Sequence, residues 1–175
     1  SLAMTLAGNP KYEISEGELL LDGHSLKEMS PDERNRAGIF LTFQNIPEIP
    51  GVKLFEFLKT IYDARAEKPS TFLEFKKIIE PLMAELEIEK AFLWRDLNVG
   101  FSGGEKRKIE VLQIKLLKPK YIILDEIDSG LDVNAVRQVA ELLKAVNTEE
   151  NSFIVITHLF EMLQELPLEK ILILE

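Results

Sequence analysis

The sequence predicts an α/β fold in which a largely parallel sheet carries an inserted helical subdomain. Apolar runs of strand length alternate with amphipathic helical patterns in both halves of the chain, and this alternation is typical of parallel sheets. Between residues 52 and 95 the helical patterns follow one another without a strand, which indicates an insertion. The length of 175 residues fits a single domain over 1–175.

The first part of the chain predicts two helices and two strands. Gly8 is the expected stop of the first helix, because glycine readily adopts the left-handed conformation that ends helices. Ser30 and Glu33 have the spacing of a capping box, in which each side chain bonds the backbone amide of the other residue. The predicted elements are a helix over 2–7, a strand over 17–23, a helix from Pro31 and a strand over 38–44.

The middle of the chain predicts helices only, after a proline-rich loop over 45–51. Thr71 and Glu74 repeat the capping-box pattern. The predicted helices cover 52–65, 71–86 and 89–95, and in the segment 101–117 a loop opens a further helix. Together they form a helical subdomain over about 52–117.

The last part returns to strands that alternate with helices. Asp132 is a suitable N-cap for the helix that follows it. The predicted elements are a strand over 121–126, a helix from Asp132 to Asn147, a strand over 152–158, a short helix and a strand over 170–175.

Composition excludes several functional classes. The chain has no cysteine, which rules out thiolate catalysis and cysteine-bound metal on the chain itself. The net charge of −9 argues against a nucleic-acid partner, and no apolar run reaches the about 20 residues of a membrane span. We therefore expect a soluble, cytoplasmic protein with no nucleic acid partner and no direct membrane insertion.

Polar side chains follow three of the predicted strands. Gln44 ends the first, Asp125 and Glu126 end the second, and His158 ends the third. Ligands of open parallel sheets bind at the carboxyl ends of the strands, so these groups can converge on one site. Taken one at a time, Gln44 and His158 are equally consistent with ordinary surface or structural positions, and His158 could instead bond a terminal phosphate.

The adjacent acids Asp125 and Glu126 admit two interpretations. A buried strand commonly ends in polar residues, and this alone accounts for them. Alternatively, Asp125 holds Mg²⁺, in part through water, and Glu126 polarises the water that attacks a γ-phosphate.

The segment Ser102–Gly103–Gly104–Glu105 also admits two interpretations. It has the pattern of a third capping box. The amides of Gly103 and Gly104, with the Ser102 hydroxyl, could also bind a phosphate at the positive end of the helix. The basic run Lys106–Lys108 follows directly, and we interpret it as a solvated cluster rather than a docking or phosphate-binding patch.

The order of these motifs resembles that of the ATP-binding-cassette ATPases over nearly the whole chain. The resemblance implies a P-loop NTPase core. In the family's terms, Gln44 resembles the Q-loop, Ser102–Glu105 the signature motif, Asp125–Glu126 Walker B, Ser129–Asp132 the D-loop and His158 the switch histidine.

Finer details resemble the ATPases of the SUF iron–sulfur cluster assembly system, the SufC type. The matching text is "AGNPKYEISEGE", "FQNIPEIPGV", "FSGGEKRK" and "LDEIDSGLD". This resemblance implies SufB- and SufD-like scaffold proteins as partners. A nucleotide-binding subunit of a membrane transporter and a non-hydrolytic scaffold-docking fragment stay open as alternatives.

The resemblance also implies a mechanism in which two chains sandwich ATP and Mg²⁺ in a nucleotide-dependent homodimer. Glu126 and His158 would be catalytic. Asp125 and Gln44 would serve the metal, and Gln44 would also couple the γ-phosphate to the helical subdomain. Ser102, Gly103, Gly104 and Asp132 would contact nucleotide across the dimer interface.

One motif of the family does not occur in the sequence, namely the phosphate loop G-x-x-x-x-G-K-[ST]. In the family this loop precedes text that resembles "SLAMTLAG". We therefore expect these residues to be the downstream part of a longer, here truncated, ATPase domain. The prediction is that the 175-residue chain alone hydrolyses ATP no faster than its Glu126→Gln variant.

Overall fold

The computed structural model describes residues 2–127 and 133–157. Its elements, in chain order, are helix α1 (Leu2–Leu6), strands β1 (Leu20–Leu21) and β2 (His24–Ser25), helix α2 (Pro31–Arg36), strands β3 (Ile39–Leu41) and β4 (Ile49–Lys53), helices α3 (Leu54–Asp63) and α4 (Phe72–Glu85), a 3-10 helix (Lys90–Trp94), strand β5 (Asp96–Leu97), helix α5 (Gly103–Leu117), strand β6 (Tyr121–Asp125), helix α6 (Val133–Lys144) and strand β7 (Ser152–Ile156).

A parallel sheet of order β3-β6-β7 forms the centre of the described residues. The α/β fold with a parallel sheet is thereby confirmed. Ile39 is paired with Tyr121, and Asp125 with Ile156. Because the strands are parallel, their carboxyl ends lie at one edge of the sheet, which we call the carboxyl edge.

The sheet is covered on both faces, since successive side chains of β6 point to opposite sides. Ile122 and Leu124 pack into the larger apolar cluster with residues of α3, α4, α5 and α6. Ile123 packs on the other face, in a cluster with Ala3 of α1 and Leu26. Strand β6 is buried on both faces, which explains its continuous apolar sequence.

All three predicted capping boxes are present. The side chains of Ser30, Thr71 and Ser102 accept from the amide of the residue three positions later, and the glutamate at that position accepts in return. Gly8 has a φ of +80° just after α1, as expected of a helix-ending glycine.

The strand predicted over 17–23 is confirmed only for Leu20–Leu21, which form β1. This segment instead begins an antiparallel hairpin of β1 and β2, with Leu21 opposite His24. Asp22 and Gly23, between the strands, have φ values of +50° and +81°. An Asp-Gly pair with two positive φ values is the usual tight hairpin turn, so local turn chemistry prevails over the apolar run.

The helical insertion contains a strand pair that the sequence did not predict. Strand β4 begins inside the proline-rich segment predicted as a loop and pairs antiparallel with β5, which follows the 3-10 helix. Gly51, with a φ of +84°, donates its amide to Asp96 Oδ2 at 3.0 Å. Such short, irregular pairing leaves no alternating pattern in the sequence.

Several other boundaries differ from the prediction. The predicted helix over 89–95 is a 3-10 helix, and the strands predicted over 38–44, 121–126 and 152–158 are shorter by one to four residues. The helix predicted to run to Asn147 ends at Lys144. The predicted Asp132 N-cap, the short helix after His158 and the strand over 170–175 lie outside the described residues.

None of the helices in the described part of the chain has both the length and the apolar character needed to cross a membrane.

Candidate nucleotide site

Thr42 connects the ends of β3 and β6. Its amide donates to the Ile123 carbonyl at 2.9 Å, which extends the strand pairing by one bond. Its buried hydroxyl donates to the same carbonyl at 3.3 Å and accepts from the Asp125 amide at 3.2 Å. These bonds place the backbone of Asp125 beside the end of β3.

Gln44 and Glu126 meet at the carboxyl edge. Gln44 Nε2 donates a hydrogen bond to Glu126 Oε2. The Glu126 amide donates to the Ile156 carbonyl at 2.8 Å, and its φ of +47° turns the chain away from the strand direction. This left-handed conformation is uncommon for a residue other than glycine and is concentrated at functional sites.

Asp125 is half-buried next to Glu126. Burial of the carboxyl, and secondly the charge of Glu126, raise the pKa of Asp125. A divalent cation would oppose this rise in pKa, because it stabilises the ionised form. Carboxylate and amide oxygens, which Asp125 and Gln44 carry, are ligands that Mg²⁺ prefers, so the residue types present fit this ion.

The Ser102–Gly104 segment begins α5. The capping box uses the amides of Ser102, at 2.7 Å from Glu105 Oε2, and of Glu105, at 3.2 Å from Ser102 Oγ. It does not use the amides of Gly103 and Gly104, and both glycines are exposed. The capping and the phosphate-binding interpretations are therefore compatible.

Arg107 is buried, so the prediction of a solvated basic cluster is wrong for this residue. It is 4% exposed and donates to Glu110 Oε2 at 2.6 Å, and Glu110 is 3% exposed. The pair holds the segment before Gln44: Glu110 Oε1 accepts from the Phe43 amide at 2.9 Å, and Arg107 Nη1 donates to the Phe43 carbonyl at 2.9 Å. Burial raises the pKa of Glu110, and the charge of Arg107 opposes this rise.

Sequence reasoning missed Arg107 and Glu110, although a signal was present. Both residues share a helical face with Val111 and Ile114, which are buried, because residues three and four apart lie on one side of a helix. The neighbours Lys106 and Lys108 face outward and pair with Glu48 at 2.8 Å and Glu87 at 3.9 Å.

The structure thus brings Gln44 and Glu126 together next to Asp125, and it places the Ser102–Gly104 segment at the start of α5. Asp132 and His158 lie outside the described residues. Their roles stay predictions.

Curated relatives cover most of this chain. It is 42% identical over 162 residues to "Probable ATP-dependent transporter ycf16" of Antithamnion sp., covering 90% of this chain and 64% of the relative. It is 44% identical over 163 residues to "Probable ATP-dependent transporter slr0075" of Synechocystis sp., covering 90% and 63%. It is 40% identical over 162 residues to the chloroplastic "ABC transporter I family member 6" of Arabidopsis thaliana, covering 90% and 48%. The chain spans less than two thirds of the length of these relatives.

Solved structures share the fold. A dimeric post-hydrolysis structure of the ATP-binding cassette MJ0796, bound to ADP and Pi, superposes with a TM-score of 0.75 at 20% identity, covering 94% of this chain and 71% of that one. A nucleotide-free cassette of an ABC transporter superposes with a TM-score of 0.66 at 16% identity, covering 93% and 67%. The profile of the family described as "ABC transporter" matches residues 1–129. The chain therefore belongs to the ABC transporter family and has the fold of its ATP-binding cassettes.

Proposed function

We propose that this chain belongs to an ATPase that hydrolyses ATP at a dimer interface to rearrange an iron–sulfur cluster assembly scaffold of the SUF type. The observation that carries the hydrolytic part is the meeting of Gln44 and Glu126 beside Asp125 at the carboxyl edge. Ligands of parallel sheets bind at this edge. Family membership, which rests on independent matches, supports the same conclusion.

The residues of the carboxyl edge would have different roles in hydrolysis. Asp125 and the Gln44 amide oxygen would hold Mg²⁺, which when bound neutralises charge on the phosphate oxygens. Glu126 would accept a hydrogen bond from the attacking water and orient it, and His158 would donate to the terminal phosphate. In the structure Glu126 accepts from Gln44, so this bond must open or shift before Glu126 can orient water.

A second copy of the chain would complete the site. Ser102, Gly103 and Gly104 are exposed, and the capping box does not use the amides of the two glycines. Asp132 would lie beside them across the interface. The dimeric cassette MJ0796 bound to ADP and Pi shares this fold, which supports a nucleotide-dependent homodimer.

The SUF-type role rests on sequence resemblance. The segments "FQNIPEIPGV", "FSGGEKRK" and "LDEIDSGLD" support it, and SufB- and SufD-like scaffolds would be the partners. Cluster ligation would lie on the scaffold, since this chain has no cysteine.

Hydrolysis is tested on the complete product of the gene that encodes this chain. We expect its ATPase rate to exceed that of the Glu126→Gln variant by about 10²-fold or more, since that substitution removes the group that orients water. Equal rates would refute the proposal. The non-hydrolytic alternative predicts equal rates and no Mg²⁺-dependent heat in an ATP titration.

The partner is tested by co-expression. We expect the complete gene product to co-purify with SufB- and SufD-like proteins and to hydrolyse ATP faster in their presence. Relatives carry the printed name "Probable ATP-dependent transporter", which favours a membrane partner as the second candidate. Stimulation by a membrane subunit, with no binding to the scaffolds, would decide for that candidate.

A further inference from the structure

The chain leaves the central sheet after Thr42. Side chains of α5 then bond its backbone groups, as a neighbouring strand does within a sheet. The amide and the carbonyl of Phe43 bond Glu110 and Arg107, at 2.9 Å each. Arg107 Nη2 also donates to the Gln44 carbonyl at 3.4 Å. Two side chains of one helix thus hold three backbone groups of the segment that carries Gln44.

Burial distinguishes this pair from the other ion pairs of α5. Arg107 and Glu110 are 4% and 3% exposed, whereas the backbone they hold lies in an exposed stretch of chain. A buried ion pair by itself adds little stability compared with apolar side chains, because desolvating both charges is costly. The bonds of the pair to the Phe43–Gln44 backbone therefore explain its burial better than a gain in stability does.

The same helix begins at the Ser102–Gly104 segment. Arg107 follows Ser102 by five residues, about one and a half helical turns, and α5 continues without interruption to Leu117. The distance between the Phe43–Gln44 backbone and the Ser102–Gly104 segment is therefore set by a rigid helical segment and by bonds to buried side chains. The backbone of Phe43 and Gln44 cannot move relative to the start of α5 unless the bonds of Arg107 and Glu110 break.

We propose that Arg107 and Glu110 are positioning residues that hold Gln44 and the Ser102–Gly104 segment as one unit, so that movement of Gln44 during the nucleotide cycle moves the start of α5 with it. This inference rests on the proposed function. Gln44 would act on the phosphates bound to its own chain, and the Ser102–Gly104 segment would contact the nucleotide of the second chain. Two buried side chains would link these two parts mechanically.

Two variants of the complete gene product test the link. Arg107→Lys keeps the charge but loses the planar fork that reaches two carbonyls. The double variant Arg107→Met with Glu110→Met removes the pair without leaving a buried charge, an exchange that folded proteins often tolerate. We expect kcat to fall about tenfold or more in both, with KM for ATP within about twofold, because orientation in the transition state is lost rather than binding.

The matched control is Lys115→Met, on the same helix. Lys115 pairs with Glu85 and does not bond the Gln44 segment. We expect its kcat to equal that of the unsubstituted protein.

A double-mutant cycle with Gln44→Ala separates positioning from a merely structural role. If Arg107 acts through Gln44, adding Arg107→Lys to Gln44→Ala lowers kcat no further. Hydrogen exchange without nucleotide is the second readout: the Phe43 amide should exchange about tenfold faster or more once its Glu110 acceptor is removed.

The outcomes are distinct. Normal kcat in Arg107→Lys, or additive losses with Gln44→Ala, would refute this inference and leave the proposed function intact, even if the exchange rate rises. An unsubstituted protein that does not hydrolyse ATP would refute the proposed function and this inference together. If the double methionine variant does not fold, Arg107→Lys and the cycle decide the matter.

Discussion

At Gly104, the stability of the fold and the proposed phosphate site favour different residues. It lies in the first turn of α5, and open space surrounds the position that a Cβ would take. Glycine within a helix costs about 0.5–1 kcal/mol relative to alanine. The fold alone therefore favours alanine here, whereas a phosphate that approaches the backbone amide favours glycine.

We predict that Gly104→Ala raises the free energy of unfolding by about 0.5 kcal/mol and lowers the ATPase rate of the complete gene product. Urea unfolding and a steady-state ATPase assay measure the two effects. A more stable variant with an unchanged ATPase rate would remove Gly104 from the proposed site.

The guanidinium of Arg34 is buried and donates to four backbone carbonyls. It is 4% exposed and donates to Thr5 at 2.7 Å and Leu6 at 3.1 Å, at the end of α1. It also donates to Leu26 at 2.6 Å and Met29 at 3.0 Å. One side chain thus connects α1, the β1-β2 hairpin and α2.

Replacing Arg34 by Met should lower the free energy of unfolding by about 3 kcal/mol or more, because buried carbonyls would lose their donors. The matched control is Arg36→Met, two residues away, which removes an exposed pair with Asp32 worth about 0.5 kcal/mol or less. Urea unfolding of the 175-residue chain measures both. Equal effects would show that the Arg34 bonds add nothing to stability.

At the scale of elements, the three capping boxes make the stability of helices α2, α4 and α5 depend on pH. Hydrogen bonds from the N-cap backbone are the main cause that lowers the pKa of Glu33, Glu74 and Glu105. A carboxylate with a lowered folded-state pKa adds stability above its unfolded pKa of about 4.3 and loses it as the pH falls through the folded pKa.

We therefore predict that replacing all three glutamates by glutamine flattens the fall in stability of the native chain below about pH 4.3. The free energy of unfolding, measured by urea between neutral pH and acid, would show this. Glu67→Gln, an exposed loop substitution outside the capping boxes, is the control. An unchanged acid dependence in the triple variant would contradict the assignment of these pKa shifts.

At the scale of the whole molecule, the described residues contain two groups that the proposed function assigns to the nucleotide: Gln44, Asp125 and Glu126 at the carboxyl edge, and the Ser102–Gly104 segment at the start of α5. Only residues 118–120 separate α5 from β6, and Arg107 and Glu110 of α5 bond Phe43 just after β3. The Ser102–Gly104 segment is exposed to solvent. A second copy can supply this segment to the site of each chain.

The complete gene product carrying Glu126→Gln should therefore be monomeric without nucleotide and dimeric with Mg²⁺-ATP, since binding energy then closes the interface without turnover. Light scattering after size exclusion measures the mass in each state. Adding Ser102→Arg should keep the protein monomeric in both. A dimer that forms equally without nucleotide would contradict the sandwich arrangement.

Much of this fold follows from local sequence signals. The α/β class, three capping boxes and the helix-ending Gly8 depend on spacings within a few residues, and the structure has them all. The pairing of β4 with β5 could not be predicted, because it joins residues more than 40 positions apart with an irregular register. Likewise, the Asp22–Gly23 turn prevailed over an apolar run that predicted one continuous strand.

For the proposed site, the sequence by itself determined which candidate groups are available: the acids at the end of β6, the glutamine after β3, and the serine and glycines at the start of α5. Residue types and their order along the chain can be identified without a three-dimensional structure. Only the tertiary structure decided that Gln44 bonds Glu126 and that Arg107 turns inward to hold the chain before Gln44. The physical reason is burial. Whether a charged residue on a helix is solvated or paired depends on which surface packs over it, and here that surface comes from a segment more than 60 residues earlier in the chain.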